Sequence, residues 1–233
     1  MRQPRSKLDE SIAKVLASHS RIHFTGRMLV WVILTILSPT LRLAVYLKPV
    51  DPGDRSIAIV TLNVSYLALA IGSAAYAIIH FDDNLAPLRA HAWSCWWIWA
   101  WFLWSRCAEV FIAFYRDATD QLRGKPAKSD LTASWRVWLA LNSYLELIID
   151  YALIYALLPE DVWSSAPTSI TQTLWISAST ITTSGSAGFM LTDWLPQLLS
   201  TFEIFGGVIL LVVCFALYVG GKADERLIGE AQK

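Results

Sequence analysis

From Ser56 to Phe81 the sequence passes without a single Asp, Glu, Lys or Arg. A helix crosses a hydrocarbon core of roughly 30 Å with about 20 apolar residues, so a run of this length predicts a transmembrane helix. Further apolar runs occupy 28–47, 92–115, 138–158 and 195–221. The totals agree: of 233 residues, 55% are hydrophobic and 16% are charged, where a soluble domain carries about a quarter charged residues. The expected class is an all-α integral membrane protein.

The net charge is zero, so no basic field points to nucleic acid. Cys95, Cys107 and Cys214 all fall inside apolar runs. An odd number so placed argues for packing residues and against a disulfide framework. The N-terminus lacks the short apolar region and small-residue cleavage site of a signal peptide; the expectation is that the chain is retained whole. Residues 1–27 place Leu8, Ile12, Val15, Leu16, His19, Ile22 and His23 on one helical face, with Lys7, Lys14 and Arg21 elsewhere. This predicts an amphipathic helix on an anionic membrane surface, the alternative being a helix packed on a neighbouring subunit.

Basic residues set orientation. No Lys or Arg occurs from Val137 to Gly221, whereas the 116–136 linker holds Arg116, Arg123, Lys125, Lys128 and Arg136. The linker and the 222–233 tail read as cytoplasmic, and the segment around 164–194 as outer. The run 28–47 is broken at Ser38-Pro39, carries Arg42 and has Arg27 and Lys48 at its flanks. It reads as a re-entrant dip with both flanks inside; a true crossing with the N-terminus outside is the alternative.

Between the last two runs lies "STITTSGSAGFMLTDW", residues 179–194. Upstream, Ser164 and Ser165 are candidate caps and Pro167 suits a first helical turn. A helix over 167–181 is about 22 Å long, enough to descend partway into a membrane but too short to cross it. Its C-terminal end carries partial negative charge. Non-helical backbone at that depth is tolerated only where protein buries it or a water-filled cavity borders it. A half-helix followed by Thr, Ser and Gly carbonyls suits a dehydrated monovalent cation, whose hydration shell such carbonyls replace.

Residues 170–221 resemble the pore module of the potassium-channel superfamily. The family's filter reads Thr-Val-Gly-Tyr-Gly; laid on it without gaps, Thr183, Ser184, Gly185, Ser186 and Ala187 take the five positions, and Thr182 takes the Thr before them. Downstream, Glu203 and Gly207 occupy the Leu-Glu and Gly places with which the inner helix opens in bacterial members. The resemblance implies a pore domain over 137–221, with an outer helix, a pore helix 167–181, a filter 182–188 and an inner helix 195–221, attached to an N-terminal helical membrane bundle (28–115). One loop per chain and four per ring imply a homotetramer, among membrane lipids, conducting K⁺ or Na⁺ and needing no cofactor or resident metal. The resemblance also implies a bacterial inner (plasma) membrane, with the filter outside and the C-terminus cytoplasmic. Ala187 and Ser186 replace the second glycine and the aromatic, and Gly188 stands where an acid is usual; a one-residue insertion would instead make Gly188 the second glycine. The departures leave K⁺ over Na⁺ selectivity open. They also motivate an alternative, a non-conducting scaffold or subunit that kept the fold.

Further residues stand out. Glu146 and Asp150 are four apart on one face of an apolar helix, candidates for cation neutralisation or proton-sensitive gating, or for a structural bond to Glu203 or a pore-helix hydroxyl. Glu203 is expected to hold the pore helix or filter. Gly206 and Gly207 are a hinge or a close-packing site. Arg106 and Glu109 are a candidate buried pair, and a lone Arg is no voltage sensor. Glu160, Asp161 and Asp193 would concentrate cations at the outer mouth. The Trp-rich run 93–104 reads as packing and interface anchoring; His80 and His91 are isolated. Enzyme motifs are missing, with no Gly-x-Ser-x-Gly, His-Glu-x-x-His, phosphate loop or paired Cys. An intramembrane hydrolase built on Glu146 and Asp150 is the one enzymatic alternative; the expectation is that the chain is not an enzyme.

Overall fold

The computed structural model describes residues 40, 51–90, 97–123, 129–185 and 188–214. Outside them lie the amphipathic segment 1–27, the run 28–47 except Thr40, Cys95, His91, Ser186, Ala187, the end of the expected inner helix and the tail.

All named elements among the described residues are helices. Helix α1 is Pro52–Phe81, opened by Asp51, whose carboxylate accepts from Gly53 N at 2.9 Å, with proline at the first turn where no donor is lost. The short α2 is Ala86–Ala90 and α3 is Trp97–Leu122. Helix α4, Ala133–Leu157, starts at the Thr132 cap and stops where Pro159 forces Leu158 into extended backbone. A 3₁₀ turn, Glu160–Val162, leads to α5, Ile170–Ile181. Helix α6, Trp194–Val208, passes into a π-helical stretch, Ile209–Cys214.

Among the described residues three helices are long and apolar enough to cross a membrane: α1, α4 and α6 with its continuation to Leu211. Helix α3 has the length, 26 residues, but carries Arg106 and Glu109 in mid-helix and does not join them. In α4, 56% of the apolar window is buried inside the chain, against 22% and 28% in α1 and α6. Helix α4 is therefore the central post, contacted by α1, α3, α5 and α6. The outer helices keep apolar faces turned outward, among them Ile71 and Ile79 on α1 and Leu198, Phe202 and Phe205 on α6.

Some boundaries differ from the sequence expectation. Segment 116–136 is not linker throughout: α3 continues to Leu122 and α4 begins at Ala133, so a pore-domain boundary at 137 falls inside a helix. The cause is Arg136, which spans the gap to Asp117 with Nη1 2.8 Å from both carboxylate oxygens and also bonds Leu131 O and Ser129. The half-helix begins at Ile170, not at Pro167 under a Ser164 or Ser165 cap. Ser169 is the cap, accepting from Gln172 N at 3.1 Å, while the Gln172 side chain returns to Thr168 N at 2.7 Å. That is the Ser-x-x-Gln spacing of a capping box reaching one residue further back. Pro167 stays outside because its carbonyl takes Arg89 Nη2 at 2.8 Å.

Candidate functional site

Helix α5 starts where α4 ends. Ile170 is packed with Ile154, Ala156 and Leu157, and Thr171 donates its amide, at 2.9 Å, and its hydroxyl to Asp82, the cap of α1. At the other end of this 12-residue helix Ile181 lies beside Gly207 on α6. The chain then returns. Met190 O accepts from Ser164 N at 2.8 Å, Thr192 N donates to Val162 O at 2.9 Å, and Trp163 and Leu191 form an antiparallel bridge. Both flanks of the half-helix are thereby tied at one end of the bundle, and the half-helix and the loop after it form an excursion into it and back. Long helices border it on either side.

The turning point holds the residues expected to form the filter. Thr182–Ser184 are not extended there; they close α5 as a Schellman motif. Ser184 N reaches Ser179 O at 2.9 Å and Thr183 N reaches Thr180 O at 2.9 Å, with Thr183 left-handed at φ 59°. Glycine is usual at that place, and a β-branched Thr carries a steric cost. Hydroxyls add to the closure: Thr182 Oγ1 donates to Ala178 O at 2.7 Å and lies 2.8 Å from Ser184 Oγ. Gly185 and Gly188 have φ of 94° and 97°, and Thr182–Gly185 and Gly188 are all exposed.

Beneath the turn sits the second group of predicted residues. Glu203 on α6 is fully buried and accepts from Tyr155 Oη at 2.6 Å and from the Ser177 hydroxyl. One side chain thus joins α4, α5 and α6. Gly206 lies against Leu147 on α4, and a Cβ on Gly207 would sit 2.5 Å from Ile181 Cγ1. Both glycines thus lie where α6 comes close to its neighbours. Glu203, Gly206 and Gly207 are therefore brought together with the half-helix, as residues that hold it in place.

Glu146 and Asp150 are not brought to the loop. Glu146 accepts from Arg106 Nε at 2.6 Å and Nη2 at 3.0 Å, and Arg106 Nη1 lies 3.1 Å from Glu109. The guanidinium also stacks over the Tyr66 ring, 4.2 Å from its centroid, so the cluster ties α1, α3 and α4. Asp150 is buried, with Cys107 Sγ 4.0 Å from Oδ2 and no hydrogen-bond partner at Oδ1 among the described residues. Among the described residues no group of three or more His, Cys, Asp and Glu is arranged to hold a metal. At the end where the excursion begins, Glu160 pairs with Arg89 at 3.0 Å, which weakens the expected acidic character of that end.

Tyr155, Ser177, Asp82 and Arg89 went unmarked in the sequence. The first two were accessible only in part: a carboxylate at 203 inside an apolar helix demands hydroxyl or amide donors, but α5 offers five hydroxyl residues and the sequence does not single out Ser177. Asp82 and Arg89 had no such signal, because their partners lie far along the chain.

Among the described residues, fold and site define an all-helical protein with three helices apolar and long enough for a membrane and a half-length helix tied between two of them. Compared with known proteins, the chain matches no family model, no curated protein and no solved structure.

Proposed function

We propose that this chain is one subunit of a homotetrameric pore-loop channel for monovalent cations. The observation that carries the reading is the excursion itself: α5 and its Thr-Ser-Gly turn start and finish at one end of the bundle, between α4 and α6. In a membrane, exposed polar backbone at such a turn needs protein or water around it. Three further copies around an aqueous axis supply both. On this reading α4 is the outer helix, α5 the pore helix, Thr182–Gly188 the filter and α6 the inner helix. Membrane lipids cover the outward apolar faces, K⁺ or Na⁺ is the cargo, and no step is enzymatic. The setting is a bacterial inner membrane with the filter outside.

A second reading has its own support. Thr182–Ser184 form a helix cap in place of an extended strand, and Ser186 and Ala187 depart from the family's filter. A non-conducting scaffold or subunit fits both facts. Ion flux from liposomes holding the purified protein separates the readings, with K⁺ and Na⁺ gradients imposed in turn. Gly185 adopts φ 94°, a region that L side chains rarely enter. Gly185→Val is expected to abolish flux while the oligomer survives on a sizing column; wild-type protein that carries neither ion, or a variant with undiminished flux, would end the channel reading.

A further inference from the structure

Helices α1, α2, α3 and α4 leave a groove between them, near the end of the bundle where the excursion begins. Its floor is buried and apolar, made by Ala77, Leu88, Leu153 and Leu157, with Trp99 also lining it. On α1 the groove runs from Ala68 to Ala77, about 14 Å at 1.5 Å per residue. Ala68, Leu69, Gly72 and Tyr76 line it and are exposed, so it opens onto the outward face of a helix long and apolar enough to cross a membrane. Small side chains on α1 make the space: among the described residues nothing lies within 4 Å of the Cβ position at Gly72. The volume is 390 Å³, whereas an apolar cavity of about 150 Å³ already holds a benzene molecule.

The lining excludes most occupants. Among the described residues no charged side chain faces the groove, and the Ser73 hydroxyl is engaged within its own helix, donating to Leu69 O at 2.7 Å. An ion or a peptide backbone would lose its hydrogen bonds there, and an apolar cavity does not hold water. A hydrocarbon chain needs no such partner. The length also fits, because one leaflet of a bilayer's hydrocarbon core is about 15 Å deep. At the mouth Tyr76 and His80 stack at 4.2 Å, amphipathic rings suited to the headgroup boundary. We propose that the groove is a lipid site in which one phospholipid acyl chain lies along α1 from Tyr76 toward Ala68. The site needs a membrane but not conduction. Leu88, Leu153 and Leu157 share a core with Ile170, the first residue of α5, so the acyl chain completes the packing behind the start of the half-helix.

The probe is phosphatidylcholine carrying a photoactivatable diazirine at the end of one acyl chain, added in limiting amount to the full-length protein in detergent. After illumination the labelled peptides are mapped. Label is expected to be several-fold denser on 68–77 and 153–157 than on the outward face of α6 at Phe202 and Phe205, which is exposed and apolar but has no groove. Gly72→Phe places a ring in the open space at Gly72 and is expected to remove the groove label while leaving that of α6 unchanged. Ala68→Trp blocks the groove from its exposed rim and serves if Gly72→Phe does not fold. Unlabelled phosphatidylcholine should raise the unfolding midpoint of the wild type more than that of either variant, since a ligand held by the native state stabilises it. Label spread evenly over groove and α6, or undiminished by both filling variants, means bulk lipid only and overturns the site. An unlabelled groove also overturns it, and a disulfide between two copies of Ser73→Cys would then identify a second copy as the occupant.

Discussion

Gly207 on α6 and Ile181 at the end of α5 approach so closely that a Cβ on the glycine would lie 2.5 Å from Ile181 Cγ1 and 3.1 Å from its carbonyl oxygen. The contact fixes how deep the half-helix sits, and with it the level of the Thr182–Gly185 turn.

Gly207→Ala should therefore destabilise despite alanine's better helix propensity, because the backbone carbonyl cannot move aside as a side chain would. Overpacking of this kind costs roughly 1–3 kcal/mol. Gly72, mid-helix in α1, has nothing within 4 Å of its Cβ position, so Gly72→Ala should stabilise by about 1 kcal/mol. Thermal unfolding in detergent should move in opposite directions for the two. A Gly207→Ala protein as stable as wild type would mean that the α5–α6 contact is looser than described.

Glu203 takes two hydroxyls, from Tyr155 and Ser177, in a site with no solvent access. Tyr155→Phe and Ser177→Ala should each cost roughly 1–3 kcal/mol, the range for leaving a buried hydrogen-bond partner unsatisfied. The double variant should cost more than the sum, since it leaves Glu203 buried with neither donor. Glu203→Gln, which keeps an acceptor and the shape, should be milder than Glu203→Leu. Chemical denaturation of the five variants checks the order, and strict additivity of the two hydroxyl deletions would refute a shared buried acceptor.

Much of this architecture was legible because membrane length and polar loops leave strong marks. Long apolar runs located α1, α4 and α6, and the Thr-Ser-Gly stretch between the last two located the turn. Glu203 and Gly207 were also readable, since a carboxylate and a glycine pair inside an apolar helix both need a close neighbour. Other features depended on contacts across long sequence separations. That Glu146 answers to Arg106, 40 residues away, and not to Glu203 or a pore-helix hydroxyl, follows from how α3 packs on α4. The start of α5 was missed by three residues because Pro167 is a good first-turn residue, and only the distant Arg89 takes its carbonyl out of the helix. The cap at Thr183 was invisible because composition gave no reason for a β-branched residue to be left-handed.

Asp82 anchors the N-terminus of α5 through Thr171, although the two are 89 positions apart. The carboxylate takes both the amide and the hydroxyl of Thr171, satisfying a first-turn donor that the helix leaves free. The site is exposed, so Asp82→Ala should cost about 1 kcal/mol, in the range of a lost N-cap. Asp82→Asn, which keeps an acceptor, should restore most of it. Exchange of the Thr171 amide should accelerate in Asp82→Ala only; equal protection in all three proteins would show that the anchor is not formed.

Among the described residues Arg106 is the one cation beside Glu109, Glu146 and Asp150, and it is 6% exposed. Replacing it leaves at least Glu146 buried without its charge partner, a change that costs roughly 3–5 kcal/mol in comparable ion pairs. Arg106→Met should accordingly fail to yield folded, detergent-stable protein, or should lower its unfolding midpoint steeply. Removing the partners together reverses the logic: Arg106→Met with Glu109→Leu and Glu146→Leu removes the ion-paired side chains together and leaves only Asp150 of the cluster, and apolar replacements of buried ion clusters are often neutral or stabilising. The triple variant is therefore expected to recover most of the lost stability. If it recovers and also conducts at the wild-type rate, the cluster serves only to join α1, α3 and α4. If the triple variant is as unstable as Arg106→Met alone, the bidentate bond to Glu146 and the stacking on Tyr66 contribute more than the charge balance does, and the electrostatic account of the cluster fails.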